Sequence, residues 1–265
     1  MKIIEWNINQ RSNHGGVDNI PPWVAQQINE LKADIVIITE FYKVSDWEEF
    51  VIDLASYNIF VTKNSNNEVL IAIKKEYTIV EDSEYSWGSN YDNNMPDYLD
   101  VSIKYKQKII TIVGARILVD KYKYNPREVT KEMKHRNEQN KKILDRIKNL
   151  QEKGNLIIGA GDFNTARREN SNEDWSMGVL EAELVPLDIK LYTPDGCSHQ
   201  LDKGVFAGCP DHLFASNSME VTMVPYYWNF VERDKNIYYE REYTKNIPNS
   251  YPDHGIVIAE IKEFN

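Results

Sequence analysis

Strand signals and helical patterns alternate along the whole chain. Alternating or continuously apolar runs predict strands over residues 2–8, 34–39, 58–62, 69–74, 78–81, 98–105, 108–115, 155–160, 212–215, 219–224 and 255–261. Helical spacing predicts a helix over 20–32, with Pro21 and Pro22 opening its first turn, and a second over 46–55 capped by Asp46. A long one over 126–152 stops at Gly154, and "DWSMGVLEAEL" from Asp174 is a weaker helix. The stretch "VSIKYKQKIITIVGA" reads as a hairpin turning at Lys106 and Gln107, which implies antiparallel pairing. Helices lying between other strands imply parallel pairs, so the pattern predicts mixed sheets covered by helices, a layered α/β sandwich. No repeat and no shift in composition divides the chain, and one domain over 1–265 is expected.

Composition adds size and charge to this picture. At 265 residues, 42% hydrophobic and 11% aromatic, the chain can bury a sizeable core. "MKIIEWNINQRS" alternates like a strand and lacks the apolar run of a signal peptide, and no stretch reaches the roughly 18 apolar residues of a membrane span. A soluble, cytoplasmic protein without a membrane partner is expected. Cys197 and Cys209 show neither CxxC spacing nor a Cys/His cluster, which argues against a thiolate zinc site, and a reducing cytosol disfavours a disulfide between them. The net charge of −10 disfavours a non-specific grip on duplex nucleic acid, which needs a basic surface. The basic residues between Lys131 and Lys148 are the local exception; interleaved with Glu132, Glu138 and Asp145, they read either as a backbone contact or as a solvated helix face.

Polar residues gather at the ends of the most apolar strands. Asn7 and Asn9 close the first, Glu40 follows "ADIVIIT", Asp162 and Asn164 follow "NLIIGAG", Asp211 precedes "HLFAS", and Asp253 with His254 precedes "GIVIAEI". A single D-x-N is usually a turn, because Asp and Asn bond their own backbone, and Gly159 and Gly161 would let the chain bend there. Five such placements suggest convergence instead, since an unpaired charge at the rim of an apolar strand is costly.

The motifs "WNIN", Glu40 after a buried strand, "GDFN" at 161–164, "PDHLFASN" at 210–217 and "YPDHGIV" at 251–257 resemble, in order and spacing, the endonuclease/exonuclease/phosphatase superfamily. The resemblance covers essentially the whole chain. It implies a deoxyribonuclease I-like fold, a four-layer α/β sandwich of two packed mixed sheets flanked by helices, and hydrolysis of a phosphate mono- or diester by an activated water. It also implies Mg²⁺ or Mn²⁺ on Glu40, with Asn7 next and Asp253 as a further ligand; hard oxygen donors without thiolate suit these ions. Asp162 would orient or deprotonate the water, Asn164 would steady the phosphate or a metal-bound water, and His254 would bind phosphate or move a proton. Asp211 would hold the other ring nitrogen of His254.

Two positions depart from the family pattern. Where many members carry a second catalytic histidine, this chain has Arg116, which cannot serve as a general acid near neutral pH but suits a phosphate oxygen. Its readings are a phosphate contact or a structural ion pair, with Glu68 as a partner. Asn9 stands where the repair nucleases tend to hold an Asp. His199 lies in a loop that the family places near the site, and Arg136 and Gln139 match a helix position whose plainer role is a contact from helix to sheet. Tyr226, Tyr227, Trp228, Phe230, Tyr238, Tyr239, Tyr243 and Tyr251 crowd an insertion over 225–251, either stacking on substrate or packing on one another; "SEYSWGSNYDNNMPDY" is a second loop that could rim the site. Three functions remain open: a phosphoesterase on a small ester, a nuclease with Arg167, Arg168 and Lys203 on the backbone, or a binding protein that lost turnover.

Overall fold

The computed structural model describes residues 1–10, 20, 23–44, 46–63, 68–88, 93–119, 126–165, 175–201, 205–206, 208–232 and 252–264. In chain order it forms β1 (Lys2–Asn7), α1 (Trp23–Leu31), β2 (Ile35–Phe41), α2 (Trp47–Asp53), β3 (Tyr57–Val61), β4 (Glu68–Lys74), β5 (Thr78–Ile79), β6 (Tyr85–Trp87), β7 (Asp97–Tyr105) and β8 (Lys108–Arg116). There follow α3 (Pro126–Glu152), β9 (Leu156–Asp162), α4 (Trp175–Leu184), β10 (Ile189–Tyr192), β11 (Gln200–Leu201), β12 (Val205–Phe206), β13 (Asp211–Ser216), β14 (Met219–Met223), α5 (Asn229–Glu232) and β15 (Val257–Phe264).

The strands build two mixed sheets. One has the order β14-β15-β1-β2-β4-β3; the other has β10-β13-β9-β8-β7-β5, with β6 also on β7. Two pairs are parallel, β1 with β2 and β8 with β9, and each needs a crossover, supplied by α1 and α3. β2 is apolar from Ile35 to Ile38 because both its faces are covered: Ile35 and Ile37 pack between the sheets, Val36 and Ile38 against α1 and α2. Val113, Ile157 and Phe214 on the far face of the second sheet pack with Ile143, Ile147 and Leu180 of α3 and α4. The result is helices, sheet, sheet, helices. At Gly114 an added Cβ would sit 2.5 Å from Val69 of the opposite sheet, so Val69 fills the space of the missing side chain.

The predicted strands and all four predicted helices fall on observed elements, with ends shifted by a few residues. Asp46 precedes α2 but makes no side-chain cap; its Oδ2 instead accepts the Ile20 amide at 2.8 Å, tying the entry of α1 to α2. Pro21 and Pro22 lie outside the described residues. β6 occupies part of the stretch read as a loop, and β10, β11 and β12 were too short to show a period. Gly159 and Gly161 do not bend the chain, since β9 runs straight through them to Asp162. A Cβ at Gly159 would lie 2.0 Å from the Phe214 ring, and one at Gly161 1.8 Å from the Ala115 carbonyl oxygen, so they permit close packing.

Candidate active site

Register alone lines up one row of charged residues. Asp97 pairs with Arg116, Arg116 with Asp162, and Asp162 with Asp211, across β7, β8, β9 and β13. Residues directly opposite in a sheet share a face, so these four project together. They do so at one end of the sandwich, where β8 and β9 finish and β7 and β13 begin. The other sheet ends at the same place: β1 closes on Asn7, β2 carries Glu40 near its end, and His254 lies just before β15. The Trp6 indole, facing α5, donates to the His254 carbonyl at 2.9 Å and holds that segment down.

Glu40 reaches the site through a bulge. The pairing of β2 with β4 steps from Ile38–Leu70 to Phe41–Glu68, leaving two residues opposite one. Glu40 itself has φ 53°, a left-handed conformation that costs a non-glycine residue roughly 1–2 kcal/mol. Asn9 (φ 44°) and Asn164 (φ 50°) share it, so three residues predicted at the site carry unusual backbone. Asn164 follows its side-chain chemistry: its amide donates to Asp162 Oδ1 at 2.8 Å, and its Nδ2 donates to the Ile117 carbonyl at 2.7 Å and to Asp162 Oδ2 at 3.2 Å. The turn reading of "GDFN" therefore holds for one carboxylate oxygen, while the other also accepts Asn7 Nδ2 at 3.0 Å.

Two cations flank Asp162. His254 Nδ1 lies 2.7 Å from Asp211 Oδ2. Burial works against an imidazolium there, but Asp211, then Asp253 and Asp162, outweigh it and raise the His254 pKa well above its ordinary value. Arg116 lies on the other side, with Nη2 2.5 Å from Glu40 Oε1, Nη1 3.7 Å from Asp97 Oδ2 and Nε 3.9 Å from Asp162 Oδ2. Burial of Asp162, and then the nearby Asp211 charge, raise its carboxyl to about 7 against the pull of His254 and Arg116. Glu5, buried beneath the site with Thr39 Oγ1 at 3.3 Å, is raised well above the carboxylate range by burial and by Asp211 and Asp162.

The structure thus brings together Asn7, Glu40, Arg116, Asp162, Asn164, Asp211, Asp253 and His254. Of the two readings of Arg116, the ion pair is present, but with Glu40, Asp97 and Asp162; the Glu68 side chain lies outside the described residues. Asp97 and Glu5 escaped the sequence reading, Asp97 because it opens its strand one residue before the apolar alternation starts. His199 joins the site: its ring lies 4.8 Å from that of His254, and its Nε2 3.8 Å from Asp253 Oδ2. His212 turns away between Thr165 Oγ1 (2.6 Å) and Thr193 Oγ1 (2.9 Å). Gln139 clamps both backbone groups of Leu118 at 2.9 Å, and Arg136 donates to the Asn164 carbonyl at 2.7 Å, which is a contact from helix to sheet.

The basic face of α3 is laced with acids, as in Lys141–Asp145 at 2.8 Å and Lys134–Glu138 at 3.7 Å, and Arg146 turns inward to Asp100 at 2.8 Å. Tyr226 donates to the Asp211 carbonyl at 2.6 Å, and Trp228 stacks on Phe230, so the start of the aromatic insertion packs behind the site. Tyr238, Tyr239, Tyr243, Tyr251, Arg167, Arg168 and Lys203 lie outside the described residues. Both cysteines are free thiols, and among the described residues no helix is long and apolar enough to cross a membrane.

Two packed mixed sheets with helices outside, and a histidine–carboxylate pair beside an acid at the end of the sandwich, define a deoxyribonuclease I-like protein. The chain belongs to the Endonuclease/Exonuclease/phosphatase family, whose profile matches residues 4–241. Solved structures share the fold at low identity. Truncated TDP2 from Caenorhabditis elegans superposes with a TM-score of 0.65 at 14% identity, over 99% of this chain and 97% of that one. D. rerio TDP2 complexed with single-strand DNA product gives 0.61 at 14%, over 99% of each. The human Nocturnin catalytic domain with bound sulfate gives 0.62 at 11%, over 100% and 93%. No curated protein matches the sequence. Members of this family are typically phosphoester hydrolases that use divalent metals, and acidic and histidine groups able to hold such an ion are present here, among them Asp162, Asp211 and His254, whose ligand atoms lie within 4.8 Å of one another.

Proposed function

We propose that the protein is a divalent-metal-dependent phosphoesterase that hydrolyses a phosphate mono- or diester by in-line attack of water. The observation that carries this reading is the Asp211–His254 pair beside Asp162, a held cation next to a buried base. Asp162, kept in place by Asn7 and Asn164, accepts the proton of the attacking water; a group titrating near neutral pH suits that task. His254, its Nδ1 committed to Asp211, presents Nε2–H to a phosphate oxygen. Arg116 stabilises negative charge at the leaving oxygen without giving up a proton. Glu40 and Asn7, with Asp253 as a third donor, would hold Mg²⁺ or Mn²⁺, which neutralises phosphoryl charge when bound. We assign the activity to a soluble substrate in the cytoplasm.

Hydrolysis of bis-p-nitrophenyl phosphate, p-nitrophenyl phosphate, plasmid and single-stranded DNA with Mg²⁺ or Mn²⁺ tests the reading. Turnover of a small ester with plasmid left intact is the expected result. A nuclease is the second reading, supported by the D. rerio relative's DNA product; cleavage of DNA at rates above those for small esters would establish it. Silence on every substrate, with no metal bound, would point to a binding protein.

A further inference from the structure

Beside the phosphate-facing nitrogen of His254 lies a second donor set. Residues 198–200 run antiparallel to 253–255, with the Gln200 amide donating to the Asp253 carbonyl and the Gly255 amide to the Ser198 carbonyl, each at 2.7 Å. These bonds bracket His199 and His254 as a non-hydrogen-bonded pair, the arrangement in which opposite side chains stand closest on one face. Asp253 places one carboxylate oxygen near each imidazole, Oδ2 3.8 Å from His199 Nε2 and Oδ1 3.8 Å from His254 Nε2. Their ligand atoms all lie within 4.8 Å of one another.

We propose that His199, Asp253 and His254 form a binding site for zinc or a similar borderline metal ion, which draws Asp253 away from the oxygen site at Glu40. Two imidazole nitrogens and one carboxylate are the donors such ions select over magnesium. Tetrahedral zinc at its usual bond lengths separates its ligand atoms by about 3.3 Å, so the carboxylate–imidazole contacts close by about half an ångström and no pair has to close by more than about 1.5 Å. The shell behind the site is already built: Asp211 holds Nδ1 of His254, so Nε2 becomes the ligand atom once its proton is released to solvent, the carboxylate–histidine–metal arrangement. Occupancy takes the nitrogen that the proposed mechanism assigns to phosphate. Zinc therefore switches off magnesium-supported hydrolysis; this consequence, unlike the site itself, rests on the phosphoesterase reading.

Zinc affinity, measured by competition with a chromogenic chelator, tests the site directly, and Co²⁺ absorption gives an independent signature. The native chain should bind one equivalent, with tetrahedral cobalt bands. His199→Gln and Asp253→Asn should each weaken binding by about 100-fold or more, and Asp211→Asn by about 10-fold or more. Glu40→Gln should leave zinc binding unchanged. Equal affinity in the native chain and folded His199→Gln, or no binding by the native chain, overturns the site. Magnesium-supported hydrolysis that zinc abolishes in the native chain and not in His199→Gln establishes the switch, and equal inhibition of the two removes it. Zinc held through His199 by a protein that hydrolyses nothing would keep the site and discard the phosphoesterase.

Discussion

On one flank of Asp162 the Asp211 carboxylate holds an imidazole; on the other, Glu40 and Asp97 hold a guanidinium. Both are buried carboxylate–cation groups at the same end of the sandwich, yet only the first can trade a proton. The histidine side responds to pH. The arginine side keeps its charge, because Glu40, Asp162 and Asp97 outweigh the burial that opposes it, so only movement or a competing cation can change it. The titratable cation thus lies on one flank and the fixed charge on the other, with Asp162 between them.

Removing the centre should have the largest effect. Asp162→Asn should lower kcat by about 10²–10⁴-fold, the usual worth of a general base, and an unchanged rate would remove Asp162 from the mechanism. The folded-state pKa of Asp162 is raised, so its charge destabilises the fold at pH values above its unfolded range, fully so above about 7. The variant should therefore melt higher than the native chain in alkaline buffer and not in acid.

Breaking the fixed side comes next. Arg116→Gln leaves Glu40 and Asp97 without their buried counter-charge and should cost about 3–5 kcal/mol of stability in denaturant unfolding. It should also tighten Mn²⁺ binding, because the guanidinium no longer competes for Glu40; paramagnetic relaxation of water protons reports this without turnover. Unchanged Mn²⁺ affinity would mean that Arg116 and the metal do not share Glu40.

The smallest change should come from loosening the titratable side. The raised pKa of His254 means that its pairing with Asp211 contributes fully below the unfolded value of about 6.5 and is lost as pH climbs through the folded value. Asp211→Asn should abolish that alkaline loss of stability and move the alkaline limb of kcat/KM to lower pH. A limb that stays in place would show that Asp211 does not set the proton affinity of His254.

The sequence showed the strands and the acids at their rims because both follow from local pattern. β2 is apolar on both faces through Ile38, and Glu40 is its first charge. Asp162, Asp211 and His254 stood out for the same reason, each one polar step from a buried run. Asp97 did not, since its strand, "DYLDVSIKY", alternates and offers other polar positions besides it. The pairing of His199 with His254, the arginine bound to Glu40 and the tight fit around Gly159 and Gly161 depend on register between distant segments, which no window of sequence contains. The bulge that turns Glu40 inward was equally invisible, since nothing in "IITEF" asks for a left-handed residue.

β1 lies between β15 and β2 in its sheet, and Trp6 donates to the carbonyl of His254, 248 positions away. During synthesis β15 is made after every other described strand, so β1 waits with one edge open until that late segment leaves the ribosome. A partly made chain can bury much of its core between the sheets but has no His254 to set beside Asp162. The proposed hydrolysis therefore waits on the 252–264 segment, which brings both the last strand of the β1 sheet and His254.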